Sequence, residues 1–245
     1  MFEDAACQVE RPDDSYVRKC LVLITADACL VLEIIRGFYA QAEKLGGGLT
    51  VYLNLRSYPA VLIFTAYGLG LTSARRREAL HALFDAVIDR QHREPVRAID
   101  SLFLWAWKGT ESDVWKQIED LQNHKTRLSG HLLIVFSEWA KRCVGLTPDS
   151  KLLFVRFEVL GSLAHFEKND KAELSQSLSQ RGNNNFAWMP LGASWHSQNG
   201  EKLTAEIETA AMKAALVKAG FAKRDLEMID LFVANFKLMS SRMRW

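Results

Sequence analysis

The chain has 245 residues, 49% hydrophobic and 24% charged, with a formal net charge of +2. That length accommodates one large domain or two small ones around a sizeable core. The composition is that of a soluble globular protein, and the near-balanced charge excludes a global bias toward nucleic acid or anionic lipid.

The first fifteen residues, MFEDAACQVERPDDS, are acidic. They lack the basic start and apolar stretch of a secretory signal, so they are expected to form a tail of a cytoplasmic protein. Cys7, Cys20, Cys29 and Cys143 are too few and too scattered for a disulfide framework and read as free thiols. From Tyr16 to Leu45, apolar residues recur at helical spacing through Leu21, Ile24, Ala28, Val31, Ile35 and Phe38, which predicts a helix with that inner face. Asp27, Glu33 and Arg36 interrupt this stretch, and such charges are costly in lipid. It is therefore read as buried helix rather than a membrane span. After the glycines at 46–48, LTVYLNLRS fits a short strand or a helix equally well.

Ser57 is a candidate N-cap with Pro59 in the first turn. The following PAVLIFTAYGLGL (59–71) is uncharged but shorter than the roughly 20 residues a bilayer requires. It predicts a helix ended by Gly68 and Gly70. A second helix is expected from Thr72 or Ser73, with Ala79, Leu83, Ala86 and Val87 inward and Arg75, Arg76 and Arg77 in water. The two make an αα-hairpin. The Tyr67-Gly68 ending, with Ala79, Leu83 and Ala86, resembles a tetratricopeptide hairpin. The spacing departs from that repeat's period of about 34 residues, and no second copy recurs.

The run Leu102–Trp107 is expected to be a short strand or a buried turn. Residues 112–128 predict an amphipathic helix with Val114, Ile118 and Leu121 inward, after which Gly130 resets the chain. HLLIVFSEWAKRC is expected to bury Leu132, Val135, Phe136 and Trp139, and Trp105, Trp107 and Trp115 are assigned to core packing. Thr147, Pro148 and Asp149 form a helix start. The polar stretch 168–185 is expected to be a loop. FAWMPLGASWHSQNG (186–200) is an aromatic insertion that could form a β-hairpin, read as a flap over the core or as a recognition loop. Two helices close the chain. The first ends at Gly220 with Phe221 as its apolar contact. The second buries Leu226, Ile229, Val233, Phe236 and Leu238.

Chemical signatures are few. GLGLTS (68–73) lacks the lysine of a phosphate loop and the third glycine of a dinucleotide fingerprint. The six histidines show no metal-ligand spacing, and no catalytic elbow or cysteine–base pair is present. No cofactor, metal or catalytic residue is assigned. Candidate partner-binding residues are Arg75, Arg76 and Arg77, and Trp188, Trp195 and His196 of the insertion.

The phrases LNLRSYPAVLIFTAYGLGL, FAWMPLGASWH and MKAALVKAGFAKRDLEMIDLFVANFKLMSSRMRW resemble the C-terminal helical region of large bacterial proteins suspected of antiphage defence. Those proteins carry an N-terminal Sir2-like, nuclease-like or P-loop effector domain. The resemblance implies a helical sensor or interaction module with a protein partner or effector domain, and it transfers no catalytic residue.

The reading is a mainly α protein of packed helical hairpins with a short aromatic insertion. Its parts are a tail (1–15), a helical-hairpin region (16–167), a polar loop and aromatic insertion (168–200), and a C-terminal helical pair (201–245). Its function is a non-catalytic sensor, scaffold or protein-interaction module without membrane attachment. The alternatives are an enzyme whose site is not recognisable in sequence, and a nucleic-acid-binding module using the three arginines and the Trp188/Trp195 loop.

Overall fold

The computed structural model describes residues 28–44, 55–90, 93–107, 115, 121–122, 126–140, 150–179, 186–194 and 198–243. Among them the protein is mainly α, with ten helices and one two-stranded antiparallel sheet. The elements are α1 (Ala28–Lys44), α2 (Tyr58–Ser73), α3 (Arg77–Asp85), β1 (Val87–Arg90), β2 (Arg93–Arg97), α4 (Ala98–Leu102) and α5 (Arg127–Trp139). There follow α6 (Ser150–Phe166), α7 (Lys171–Ser179), α8 (Gln198–Glu208), α9 (Ala210–Lys218) and α10 (Leu226–Met243).

The architecture is organised around α6, whose residues from Phe157 to Ala164 are all buried. A helix apolar on every side has to be surrounded, and α6 packs against α2, α3, α4, α5, α8 and α10. At the centre, Phe157 meets Phe103, Phe84 and Phe64 at ring-centroid distances of 5.5, 5.7 and 6.3 Å. These edge-on and tilted geometries are the favoured ones for aromatic pairs.

Ser57 and Pro59 start α2 as predicted. The Ser57 hydroxyl makes no capping bond and instead accepts the indole N–H of Trp107 at 2.6 Å. Gly68 and Gly70 do not end this helix, which continues to Ser73. Gly68 serves a helix crossing: a Cβ added there would lie 2.2 Å from Cε2 of Phe157. The turn comes at Ala74–Arg76. Arg76 N–H donates to Leu71 O at 2.9 Å and Arg75 N–H to Thr72 O at 3.1 Å. These are the two bonds of a Schellman closure, and they place Arg75 at the left-handed position with φ 55°.

The second helix of the hairpin therefore starts at Arg77 and buries Leu80, Leu83 and Phe84. Ala86 turns extended, and Val87 begins a strand with its side chain exposed and Ile88 inward. The sheet pairs Val87 with Arg97, Ile88 with Val96 and Arg90 with Arg93. Val87–Arg90 and Arg93–Arg97 are thus the paired strands. Residues 186–194, where a β-hairpin was expected, pair in no sheet. The run 102–107 is a buried turn containing a short 3₁₀ segment, Leu104–Ala106.

Other expectations are corrected. Gly130 lies inside α5. The stretch 168–185 contains helix α7, started by Asp170, whose carboxylate accepts the N–H groups of Ala172 and Glu173 at 2.9 and 3.0 Å. The predicted single helix before Gly220 is two, broken at Thr209, whose hydroxyl accepts from Met212 N–H and donates to Glu206 O. Gly220 and Phe221 behave as predicted: the glycine has φ 101° and the phenylalanine is fully buried. Ala28, Phe38 and Leu226 are exposed rather than inward. The expectations for 1–27, 45–54, 141–149 and 180–185, and those for Val114 and Ile118, lie outside the described residues.

Candidate functional site

Beside the hairpin turn, α2, α3, α6, α8 and α9 leave a pocket of about 260 Å³. Its floor is aliphatic: Leu71 and Leu80 from the hairpin, Val159 and Leu160 from α6, Leu203 and Ile207 from α8, and Met212 from α9. Its rim is cationic, formed by Arg75 of the turn, Arg77 of α3 and Arg156 of α6. The sequence contains the reason this rim exists. The Schellman closure swings Arg75 out of the helical path, and Arg156 stands one turn before Val159 and Leu160 on the same face of α6.

The charges are unevenly matched. Arg156 donates to Glu206 at 2.8 Å. Arg75 and Arg77 form no ion pair or side-chain hydrogen bond with any described residue. Three guanidiniums against one carboxylate leave a surplus of two positive charges at the pocket mouth. Thr72, the lining hydroxyl, donates to Gly68 O at 2.7 Å and is satisfied within its own helix. Arg76, the third of the predicted arginines, is exposed and does not line the pocket.

The aromatic insertion lies elsewhere. Residues 186–194 cross the helices as an irregular strap whose backbone is held by side chains. Asn235 of α10 exchanges two bonds of 2.8 Å with the backbone N–H and C=O of Ala187. Ser162 donates to Pro190 O at 3.2 Å, and the Trp105 indole N–H donates to Leu191 O at 3.0 Å. Glu158 accepts from Ser194 N–H at 2.9 Å, from Gly192 and Ala193 N–H at 3.3 Å each, and from the Ser129 hydroxyl. Complete burial pushes the Glu158 carboxyl up, against these donors, which favour its charged form. Met189 and Leu191 are buried beneath the strap, so this segment covers the core. Trp188 faces outward, 61% exposed, with its ring edge-on to Phe186. Trp195 and His196 lie outside the described residues.

The arginines and the strap do not form one surface. On α6, at about 100° per residue, the strap-bearing positions 158 and 162 point about 130° away from the pocket-lining positions 156, 159 and 160. Of the tryptophans assigned to the core, Trp107 and Trp115 are buried, whereas Trp105 and Trp139 are 51% and 46% exposed. Trp107 and Trp115 join Tyr58 and His131 in an aromatic cluster with centroid separations of 4.6–6.0 Å. Burial pushes the Tyr58 hydroxyl up to about 12 and lowers His131. The Tyr58 hydroxyl and Nε2 of His131 share a hydrogen bond of 2.5 Å.

Two further histidines face carboxylates from distant segments, His81 with Glu167 at 3.4 Å and His165 with Asp100 at 2.8 Å. Among the described residues, no group of three or more His, Cys, Asp or Glu side chains is placed to hold a metal ion. No described helix is long and apolar enough to cross a membrane. Neither a protein-family model nor a curated protein nor a solved structure significantly matches the chain.

Arg156 and Glu158 are the residues that sequence reasoning missed. Both interrupt the apolar phrase LLFVRFEVLGSL, and charges inside an all-round apolar helix require partners. One serves the pocket and the other anchors the strap.

Proposed function

We propose that the protein is a non-catalytic recognition module that holds an anionic partner or ligand at the pocket rimmed by Arg75, Arg77 and Arg156. The observation that carries this reading is that Arg75 and Arg77 stand above an aliphatic floor with no ion-pair partner among the described residues. Guanidiniums bind anions strongly by charge-assisted, bidentate hydrogen bonds. What supports binding over chemistry is the lining itself. It offers three guanidiniums, an already paired carboxylate, a satisfied hydroxyl and aliphatic carbon, with no nucleophile beside a free base. The role as a sensor or interaction module in bacterial antiphage defence rests on the resemblance of the three sequence phrases, and the pocket gives that module a place to sense.

The test is titration with the anionic apolar dye 1-anilinonaphthalene-8-sulfonate. A single saturable site is expected in the parent protein, lost when Arg75 and Arg77 are both replaced by Gln while the circular dichroism spectrum is unchanged. Equal dye binding by parent and variant would overturn the reading. A single-stranded oligonucleotide is the second ligand in the experiment. Oligonucleotide binding that depends on Arg75–Arg77 and on Trp188, without a dye site, would replace this reading with the nucleic-acid alternative.

A further inference from the structure

From the same pocket we infer a ligand class: an aliphatic anion, a single carboxylate or phosphate head on a short unbranched hydrocarbon chain. This inference rests on the recognition reading above and makes it specific.

The head is fixed by charge. The rim's surplus of two positive charges is held by Arg75, Arg77 and the donors of Arg156 that Glu206 leaves unused. An anion placed there is paired on several sides, the condition for sheltering a charge from water. The body is fixed by what the floor cannot do. Thr72, the lining hydroxyl, spends its hydrogen on Gly68 O, so a sugar or a peptide backbone entering the pocket would lose hydrogen bonds to water and regain few. Among the described lining residues there is no aromatic ring, so a nucleobase would find no stacking platform.

Size sets the last limit. About 260 Å³ lies below the range of roughly 300–1,000 Å³ typical of sites for drug-sized molecules. A chain of octyl length fits this space better than a long-chain lipid. Leu203 and Ile207 of α8 and Met212 of α9 would meet the methylenes, with the head between the arginines of the turn and α6.

The experiment is isothermal titration of the full chain with octanoate, octyl phosphate, octanol and acetate. Octanoate or octyl phosphate is expected to bind one-to-one, and the tighter of the two identifies the head. Octanol, which lacks the charge, should bind at least about ten-fold more weakly, the scale of one charge-assisted interaction, and acetate, which lacks the chain and its apolar burial, should lose at least as much. The double variant Arg75→Gln/Arg77→Gln should weaken the octyl anions by a similar factor. Met212→Ala should weaken them without altering acetate. Octanol binding as tightly as octanoate, or acetate doing so, would overturn the inference. So would octyl-anion binding unchanged in the double variant. If the octyl anions fail while the sulfonate dye still binds through Arg75 and Arg77, the ligand class is wrong and the recognition site stands. If neither binds, both readings fall.

Discussion

Gly68 of α2 lies directly against the ring of Phe157 of α6, so that a methyl group on the glycine would overlap Cε2 at 2.2 Å. The missing side chain is what allows these two helices to approach at the centre of the core. Gly68→Ala should therefore destabilise the protein by about 1–3 kcal/mol, the usual cost of overpacking a filled core. Gly37 of α1 is the internal comparison, because nothing stands within 4 Å of a Cβ added there. Gly37→Ala should stabilise by about 0.5–1 kcal/mol through helix propensity. Chemical denaturation of both variants checks the pair, and the same sign in each would contradict the placement of Gly68.

The two tryptophan environments make a second comparison. Trp107 is buried between α2 and the turn after α4, with its N–H on Ser57. Trp107→Ala should cost about 3–5 kcal/mol as a core aromatic truncation. Trp139, which the periodicity of α5 assigned to the core, is nearly half exposed and rests edge-on against Phe136. Trp139→Ala should cost distinctly less than Trp107→Ala. Equal shifts in denaturation midpoint would contradict the half-exposed placement of Trp139.

The strap is tested through Asn235. Its amide is the wall-side partner of both backbone groups of Ala187, and leaving buried polar groups unmet costs about 1–3 kcal/mol. Asn235→Leu should lower stability by that order and speed amide exchange selectively over 186–194, read by hydrogen-exchange mass spectrometry. Uniform acceleration along the whole chain would mean that Asn235 supports the core generally and not the strap.

How far the sequence disclosed this fold depends on what each signal measures. Periodicity located the inner faces of α3 and α10 at Leu83, Ile229, Val233 and Phe236, because each helix has one wet side. It failed on α2 and α6, where both sides are dry and no stripe exists to read. Glycine was read as a stop at Gly68 because its two uses, left-handed turns and close packing, look identical in one dimension. The true turn was hidden under Arg75, a residue that local propensity would not place there. The stretch 168–185 reads as loop from its polarity, although Asp170 followed by Glu173 has the spacing of a helix start. The pocket was half legible. Arg75 and Arg77 were singled out, but Arg156 and the floor come from elements far along the chain.

The part of stability carried by His131 should fall on mild acidification, opposite in sign to that of the buried Glu158 carboxyl, which is pushed up. Burial lowers its folded-state pKa below the ordinary value of 6.5. A depressed histidine contributes stability that is present above the unfolded pKa and is lost as pH falls through the folded one. The contribution of His131 to the denaturation midpoint should therefore be constant above about pH 6.5 and decline below it. Tyr58, its hydroxyl partner, stays protonated throughout this range, since its pKa is pushed up to about 12. His131→Phe should lower stability at pH 8 by removing the bond to Tyr58, and should remove the His131 part of the pH slope just below about pH 6.5. An undiminished slope in that variant would assign the acid sensitivity to other groups.

Arg75 and Gly220 occupy equivalent left-handed positions after α2 and α9, with φ 55° and 101°. At Gly220 the usual residue for that conformation is present. At Arg75 a side chain with a Cβ takes it, at a cost of about 1–2 kcal/mol. Local stability would favour glycine there, so the arginine sits against its own backbone preference. Strain of this kind collects where a side chain has to be presented, and Arg75 is presented to the mouth of the pocket. Arg75→Gly should raise the unfolding free energy by about 1 kcal/mol and weaken binding at the pocket. Arg75→Ala keeps a Cβ, so it should weaken binding similarly without the gain in stability. Denaturation and dye titration on the two variants separate the backbone effect from the side-chain effect. If Arg75→Gly is no more stable than Arg75→Ala, the turn is unstrained, and the argument from strain to function at this residue fails.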